Sequence, residues 1–339
     1  MRPVRLCFIG CGKVTRLHSR VARTLRSGLV LSYASRSAER AEEYRRRFGG
    51  LRAFGDYAAA CASPDVDAVF VCTPHRFHAE HAALAARNGK HVLIEKPVTR
   101  NLSELASVEA AVTEAGVLSM VAENYFFKPL ARVLREHVDA GDIGQLLFVE
   151  LNRTNRRPVR GWRAEADMMG GGALLEGGVH WVNLLCSIAG RPTAVIAARP
   201  EAPYPMIAPF EDSLEVLVRF AGGAVGKLLH SWNLLNRAGG LQLSRMFGSL
   251  GNVVFESNGL FALVTGRRTR MRFPGVLDIM GFRGMLQHFV DSVRRGTPPS
   301  MSLAVARRDL AFVAAAYRSL ETGRMEPVDD ATTPASMVG

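Results

Sequence analysis

The sequence predicts a two-domain α/β protein: a doubly wound parallel sheet followed by an antiparallel meander. Three observations predict it. A short apolar run, Val4–Ile9, passes through Gly10-Cys11-Gly12 into a helical segment. Val66–Cys72 is continuously apolar, as a parallel strand buried on both faces requires. After residue 146 the pattern changes to short strand-like runs, some joined by tight glycine turns such as Ala221-Gly222-Gly223, which reads as antiparallel.

A chain of 339 residues is long enough for two cores. Its hydrophobic fraction of 48% and charged fraction of 22% are those of an ordinary globular protein, and no apolar run approaches a membrane span. The start, MRPVRLCFIG, enters a strand with no signal-peptide pattern, so a cytoplasmic location is expected. Five cysteines without paired spacing read as reduced thiols, neither a disulfide framework nor a zinc site. The net charge is +12, and only five of the 43 basic residues are lysine. The excess is spread along the chain, with clusters at 45–47, 153–163 and 267–272, which argues against a nucleic-acid binder. A solvated arginine-rich surface accounts for it, and an anionic small-molecule substrate is the alternative.

Taken in order, the turn Gly10-Cys11-Gly12-Lys13-Val14-Thr15 opens a helix expected to reach about Arg26. Gly10 and Gly12 allow the backbone to approach a pyrophosphate at the helix N-terminus, with Lys13 and Val14 in its first turn. The third fingerprint position is Thr15 rather than Gly or Ala. The second strand, Leu29–Ala34, ends at Ser35-Arg36-Ser37 before a helix over 38–48. An acid usually holds the ribose 2′-hydroxyl of NAD here. Ser35 and Arg36 suit a 2′-phosphate instead, so NADP(H) is favoured and NAD(H) is the alternative. The third strand ends in Thr73-Pro74-His75-Arg76-Phe77-His78, whose loop should line the ligand crevice. The spacing of His75, His78 and His81 drifts around a helix with no completing ligand, so no metal site is expected. Next, Gly89-Lys90-His91-Val92-Leu93-Ile94 runs into Glu95-Lys96-Pro97. A compact ammonium at the end of a buried strand suits a substrate oxygen and a developing alkoxide. An ion pair with Glu95 is the plainer reading of Lys96.

A strand over 117–121 closes the first domain near Ala122, giving domains of 1–122 and 123–339. Strands are expected at 146–152, 193–199, 213–220, 224–232, 241–247 and 252–255, then helices at 285–295 and 303–321 and a loose tail after Asp329. Between the second domain's first two strands lies Gly170–Gly190, where a triple glycine precedes an apolar segment carrying Glu176 and His180 four residues apart. On a helix both would leave one face, a carboxylate beside an imidazole. The segment alone also fits a core histidine satisfied by a neighbouring acid.

These motifs together, in this order and over nearly the whole chain, resemble the glucose–fructose oxidoreductase / inositol dehydrogenase (Gfo/Idh/MocA) family. The resemblance rests on the G-x-G turn, Thr73-Pro74 with His78, Gly-Lys-His-Val leading to Glu95-Lys96-Pro97, and Gly170–His180. It implies a Rossmann domain with Glu95 and Lys96 at the cofactor, alongside Thr73, Pro74, His75 and His78. It also implies an α+β domain whose large, open, mostly antiparallel sheet serves the active site on one face and homo-oligomerisation, as dimer or tetramer, on the other. Lys96 and His180 map to the family's lysine and histidine. The family's aspartate falls on Glu176, and Phe126 and Asn183 depart from an arginine and an acid common among relatives.

The expected activity is NAD(P)-dependent hydride transfer on a secondary alcohol or ketone of a sugar or cyclitol. His180 would take the hydroxyl proton, Glu176 orient its ring, and Lys96 stabilise the developing charge. Asn124, Tyr125, Trp162 and Arg163 are candidates for substrate contact, and interdomain packing explains them equally well. A non-sugar C=O, C=N or C=C substrate, and a catalytically silent cofactor-binding sensor, are the alternatives.

Overall fold

The computed structural model describes residues 2–25, 28–201, 210–236, 241–266 and 268–330. The expected far end of the first helix at Arg26, residue 267 of the last basic cluster and the tail beyond residue 330 lie outside these.

Strands β1 (Val4–Ile9), β2 (Leu29–Ala34), β3 (Ala53–Phe54), β4 (Ala68–Val71), β5 (His91–Ile94) and β6 (Ser119–Val121) form a parallel sheet in the order β3-β2-β1-β4-β5-β6. Helices α1 (Lys13–Ala22), α2 (Ala38–Phe48), α3 (Tyr57–Ala62), α4 (His78–Arg87) and α5 (Leu102–Ala115) connect them. Every residue of β4 is fully buried, which explains its unbroken apolar sequence. The helix ends follow local chemistry. Ser37 and Asn101 accept from backbone amides at the starts of α2 and α5, and Gly49 and Gly116 take left-handed conformations at their ends. The strand expected at 66–72 is shorter at both ends, and the first helix stops at Ala22.

Helix α6 (Pro129–Asp139) leads into a second sheet. Its strands are β7 (Leu146–Thr154), β8 (Pro192–Ala198), β9 (Ser213–Phe220), β10 (Val225–Ser231), β11 (Leu243–Gly248), β12 (Asn252–Glu256), β13 (Ala262–Thr265), β14 (Arg270–Arg272) and β15 (Glu326–Pro327). The order is β14-β13-β12-β11-β7-β10-β9-β8-β15. All pairings are antiparallel except that of β7 with β10. The sequence reading had no counterpart for β3, β13, β14 and β15, or for α3, α5 and α6. Three of those strands have only two or three residues, too few for period-2 alternation to register.

Two short pieces, α7 (Ala166–Met169) and a π-helical turn (Leu174–Gly178), precede α8 (Val179–Ala189). Helices α9 (Phe282–Arg295) and α10 (Leu303–Thr322) follow the sheet. α8 packs on β7 and β10, and α10 on β8, so one face of the second sheet is covered. Along β7, Val149 and Leu151 turn to that face and are fully buried, whereas Phe148 on the other face is 52% exposed. Leu147, Leu217, Leu243 and Met271 are exposed as well. α9 returns to pack on β1 and α1, and α10 touches α5 and β6. The C-terminal helices therefore bind the two sheets together. Among the described residues no helix is long and apolar enough to cross a membrane.

Candidate active site

The site begins at the crossover of the parallel sheet, where β1 and β4 are neighbours although the chain leaves them toward opposite edges. Gly10 has φ +96°, and a β-carbon there would lie 2.8 Å from the Cys72 carbonyl oxygen at the end of β4. Only glycine fits both the backbone and the space. The Thr15 hydroxyl bonds the Gly10 carbonyl, so the departure at the third fingerprint position closes the turn from within. From α2, the Tyr44 hydroxyl donates to Gly12 O (2.9 Å) and Arg40 Nε to Cys11 O (3.1 Å), pinning the loop. Gly12 caps α1, no acid sits in the helix's first turn, and Lys13 is exposed there beside Val14. Open helical amides above a glycine cradle fit a dinucleotide pyrophosphate. Ser35 is partly buried and Arg36 exposed at the end of β2, so both stand at the rim where an adenine ribose would lie.

The third loop holds itself together. Thr73 Oγ1 and His81 Nδ1 are 3.0 Å apart, and His78 faces the carbonyls of Thr73 (2.9 Å) and Pro97 (2.8 Å). His75, just after Pro74, is buried under Trp162 (4.7 Å, edge-on) with Nδ1 on the Met169 carbonyl. Burial lowers its proton affinity well below the usual range, with the His78 ring adding to the effect. The three histidines thus serve separate hydrogen bonds. Glu95 turns inward: Oε1 accepts from His18 Nε2 (2.6 Å) and Oε2 from the Lys96 amide (3.0 Å). It braces the strand end and does not pair with the Lys96 ammonium.

Lys96 instead reaches across to the second domain. Its Nζ donates to the Glu176 carbonyl (2.5 Å) and lies 4.0 Å from Glu176 Oε1. The Lys96–Pro97 peptide is cis. Here the structure corrects the expected acid–imidazole pair. The π-helical turn that carries Glu176 gives way to α8 at Val179, one residue before His180, and the carboxylate turns from the ring. It accepts from Arg157 (3.2 and 3.3 Å) and Arg163 Nε (2.8 Å). Burial alone would raise the proton affinity of Glu176, but Lys96, Arg157 and Arg163 outweigh it and hold the carboxyl well below the usual range.

The imidazole takes a different acid, Glu123, which sequence reasoning missed. His180 Nδ1 and Glu123 Oε1 are 2.5 Å apart, and Glu123 is 2% exposed. A carboxylate at Nδ1 fixes the proton there and leaves Nε2 with its lone pair. Tyr125 stacks on the ring at 4.4 Å, and its amide donates to Glu123 Oε1. The signal was available: Glu123 lies two residues past the end of β6, beside the two residues singled out for substrate contact.

Lys96 and His180 open onto one cavity of about 180 Å³, walled by Asn124, Tyr125, Arg153, Arg157, Glu176, His230, Trp232 and Phe282 among others. Of the predicted substrate contacts, Asn124 and Tyr125 line it. Asn124 also donates to the Met280 carbonyl (2.6 Å). Trp162 and Arg163 do not line the cavity; they stack on one another and brace His75 and Glu176 from behind. Nor do the departures at Phe126 and Asn183. Phe126 lies under Arg135, and Asn183 donates to the buried Asp309 (2.6 Å).

The glycine run has its own support. A β-carbon at Gly172 would overlap the Glu211 carboxylate. Glu211 accepts from the Leu174 amide (2.8 Å) and the Tyr317 hydroxyl (3.2 Å), which fixes the start of the π-helical turn. Burial raises the Glu211 pKa to about 7. The folded state therefore keeps a proton that the unfolded chain loses near pH 4.3. Stability from this group falls as pH rises from there to about 7, and is level above. Glu211→Gln should remove that slope, a gain on the order of 3 kcal/mol over wild type at pH 8 relative to pH 4. Thermal unfolding at both pH values checks it, and parallel curves for the two proteins would contradict it.

A glycine turn with open helical amides in one domain, and a cavity shared by Lys96 of that domain and His180 of the other, suit a nicotinamide-dependent oxidoreductase. Residues 4–123 match the family model for the GFO/IDH/MocA oxidoreductases with an NAD-binding Rossmann fold, and residues 131–254 match the family's C-terminal domain. The chain belongs to the Gfo/Idh/MocA family. It is 28% identical over 250 residues to levoglucosan dehydrogenase of Pseudarthrobacter phenanthrenivorans, covering 66% of this chain and 64% of the relative, a little under two thirds of its length. It is 24% identical over 336 residues to myo-inositol 2-dehydrogenase of Thermotoga maritima, covering 96% of this chain and 99% of the relative. A solved levoglucosan dehydrogenase in complex with NADH superposes with TM-score 0.88 at 23% identity, covering 97% of this chain and all of that one.

Proposed function

We propose that the protein oxidises a secondary alcohol of a sugar or cyclitol-like polyol, or reduces the corresponding ketone, with NAD(P)(H). The observation that carries this is the convergence of Lys96 and Glu123-anchored His180 on one cavity. The names of the relatives, a levoglucosan and an inositol dehydrogenase, support the polyol class.

A bound NAD(P)⁺ supplies the hydride acceptor; the chain's residues handle the oxygen and its proton. Gly10, Gly12, Lys13 and Val14 would hold the pyrophosphate, and the loop from Thr73 to His78 would wall the nicotinamide side. His180 Nε2 takes the hydroxyl proton, and Glu123 stabilises the imidazolium that forms. Lys96 donates a hydrogen bond to the same oxygen as its charge grows. Glu176, held by Arg157 and Arg163, positions the Lys96 ammonium through its carbonyl and its charge. In reduction His180 returns the proton. The exposed apolar face of the second sheet, with Phe148, Leu217 and Leu243, supports assembly into a dimer or tetramer.

Arg36 at the crevice rim supports NADP(H) as the preferred cofactor. Titration with NADPH and NADH, followed by nicotinamide fluorescence, tests both readings. NADPH should bind more tightly, and Arg36→Ala should weaken it by roughly tenfold to a hundredfold while leaving NADH unchanged. Equal binding of both would overturn the preference. Binding of neither would overturn the oxidoreductase reading.

A further inference from the structure

The cavity carries more positive charge than its chemistry on an alcohol requires. Around Glu176 stand Lys96, Arg157 and Arg163, three cations for one carboxylate. A fourth, Arg153, projects from β7 on the covered face of the sheet, in the row of Val149 and Leu151. Its Nη1 donates to the neutral Asn258 side chain (2.7 Å), and its guanidinium lies 5.8 Å from the Trp181 ring centroid. Among the described residues no carboxylate lies within ion-pair distance of Arg153. The other acids nearby are committed. Glu123 holds His180, and Glu256 accepts from the amides of Asn258, Gly259 and Leu260.

A second observation lies beside it. His230 on β10 pairs in register with Arg153 on β7 and also lines the cavity. It is 3% exposed, and neither ring nitrogen has a hydrogen-bond partner. Burial, reinforced by the charge of Arg153, lowers its pKa to about 3, so the ring is neutral and offers one donor and one acceptor. Buried polar atoms left without partners are costly, and a ligand with hydroxyl groups removes the cost. Arg157 lies over Trp232, 5.3 Å from its centroid, on the same wall.

We propose that the substrate is a polyol bearing an anionic group, a sugar acid or sugar phosphate, whose anion pairs with Arg153 and Arg157 and whose hydroxyls satisfy His230. This rests on the oxidoreductase reading above and narrows its substrate class. Arg153 is then a specificity residue away from the reacting oxygen: a planar fork for an oxyanion, held from behind by Asn258. The +12 net charge of the chain favours the encounter as well.

The test is calorimetric titration of the protein loaded with whichever of NADH and NADPH binds. The probes are glucuronate, galacturonate, gluconate and galactonate for the carboxylate, glucose 6-phosphate and galactose 6-phosphate for the phosphate, and glucose, galactose and methyl glucuronate as uncharged counterparts. At least one acid or phosphate should bind roughly tenfold to a hundredfold more tightly than its uncharged counterpart. Whether the acids or the phosphates lead identifies the group. Arg153→Gln should erase that preference without altering cofactor binding, which also reports that the variant is folded. Arg153→Lys, keeping the charge but not the fork, should restore part of it. Equal binding of charged and uncharged probes, a preference that survives Arg153→Gln, or no binding of any anionic probe would overturn the inference. If the cofactor itself fails to bind, it is the underlying oxidoreductase reading that falls.

Discussion

Lys96→Ala is expected to lower kcat by about 10²- to 10³-fold while changing cofactor affinity little. The ammonium sits at the end of β5 with one hydrogen bond, to the Glu176 carbonyl, and faces the cavity shared with His180. Its removal leaves Glu176 paired with Arg157 and Arg163, so the site stays assembled. What is lost is the donor to an oxygen whose charge grows in the transition state, and such a loss falls on kcat rather than KM. Steady-state kinetics on any accepted polyol, with parallel cofactor titration, checks this. A rise in KM at unchanged kcat would make Lys96 a binding residue only.

Glu123→Gln is expected to be nearly as damaging, lowering kcat by about 10²-fold or more. The amide is close in size to the carboxylate and the Tyr125 stacking remains, so the fold is kept. What disappears is the negative charge 2.5 Å from His180 Nδ1 that stabilises the imidazolium. Glu176→Gln makes the informative comparison. It removes the charge between Lys96, Arg157 and Arg163 and should loosen that wall of the cavity, raising KM more than it lowers kcat. If Glu176→Gln were the larger kcat defect and Glu123→Gln the smaller, the histidine's partner would be misassigned.

The two acids also show where sequence reading stops. Lys96 and His180 were legible because each stands in a distinctive local string, and the structure brings both to one cavity. The Gly10 turn was legible because a positive φ and a 2.8 Å approach leave only glycine. The pairing of side chains was not. Four residues along a regular helix put Glu176 and His180 on one face, but the segment begins as a π-helical turn, and its period differs. Nothing local reveals that irregularity, which depends on Glu211 and Tyr317 bonding the amides of Gly172, Leu174 and Leu175 from distant parts of the chain. The ion pairs of Glu176 are likewise long-range choices among many arginines. Arg163 looks like a substrate contact from its place in a loop, whereas its guanidinium holds the Glu176 carboxylate from behind and does not itself line the cavity.

Fold legibility follows the same division. Strands β2 and β9 and helix α2 match the expected bounds, because burial pattern and caps are local. His230 and Arg153 became neighbours only through the parallel pairing of β7 with β10, a register that no hairpin sets. The return of α9 onto β1 and α1 was equally invisible, since it is an amphipathic helix whose partner lies nearly the whole chain away.

Hydride transfer is expected at the cavity that Lys96 and His180 share. A crystal structure of the protein with its preferred nicotinamide cofactor tests this most directly. The pyrophosphate is expected at the amides that follow Gly10 and Gly12, and the nicotinamide at the mouth of the cavity between Lys96 and His180. A dinucleotide bound elsewhere, or one whose nicotinamide points away from these two side chains, would contradict it.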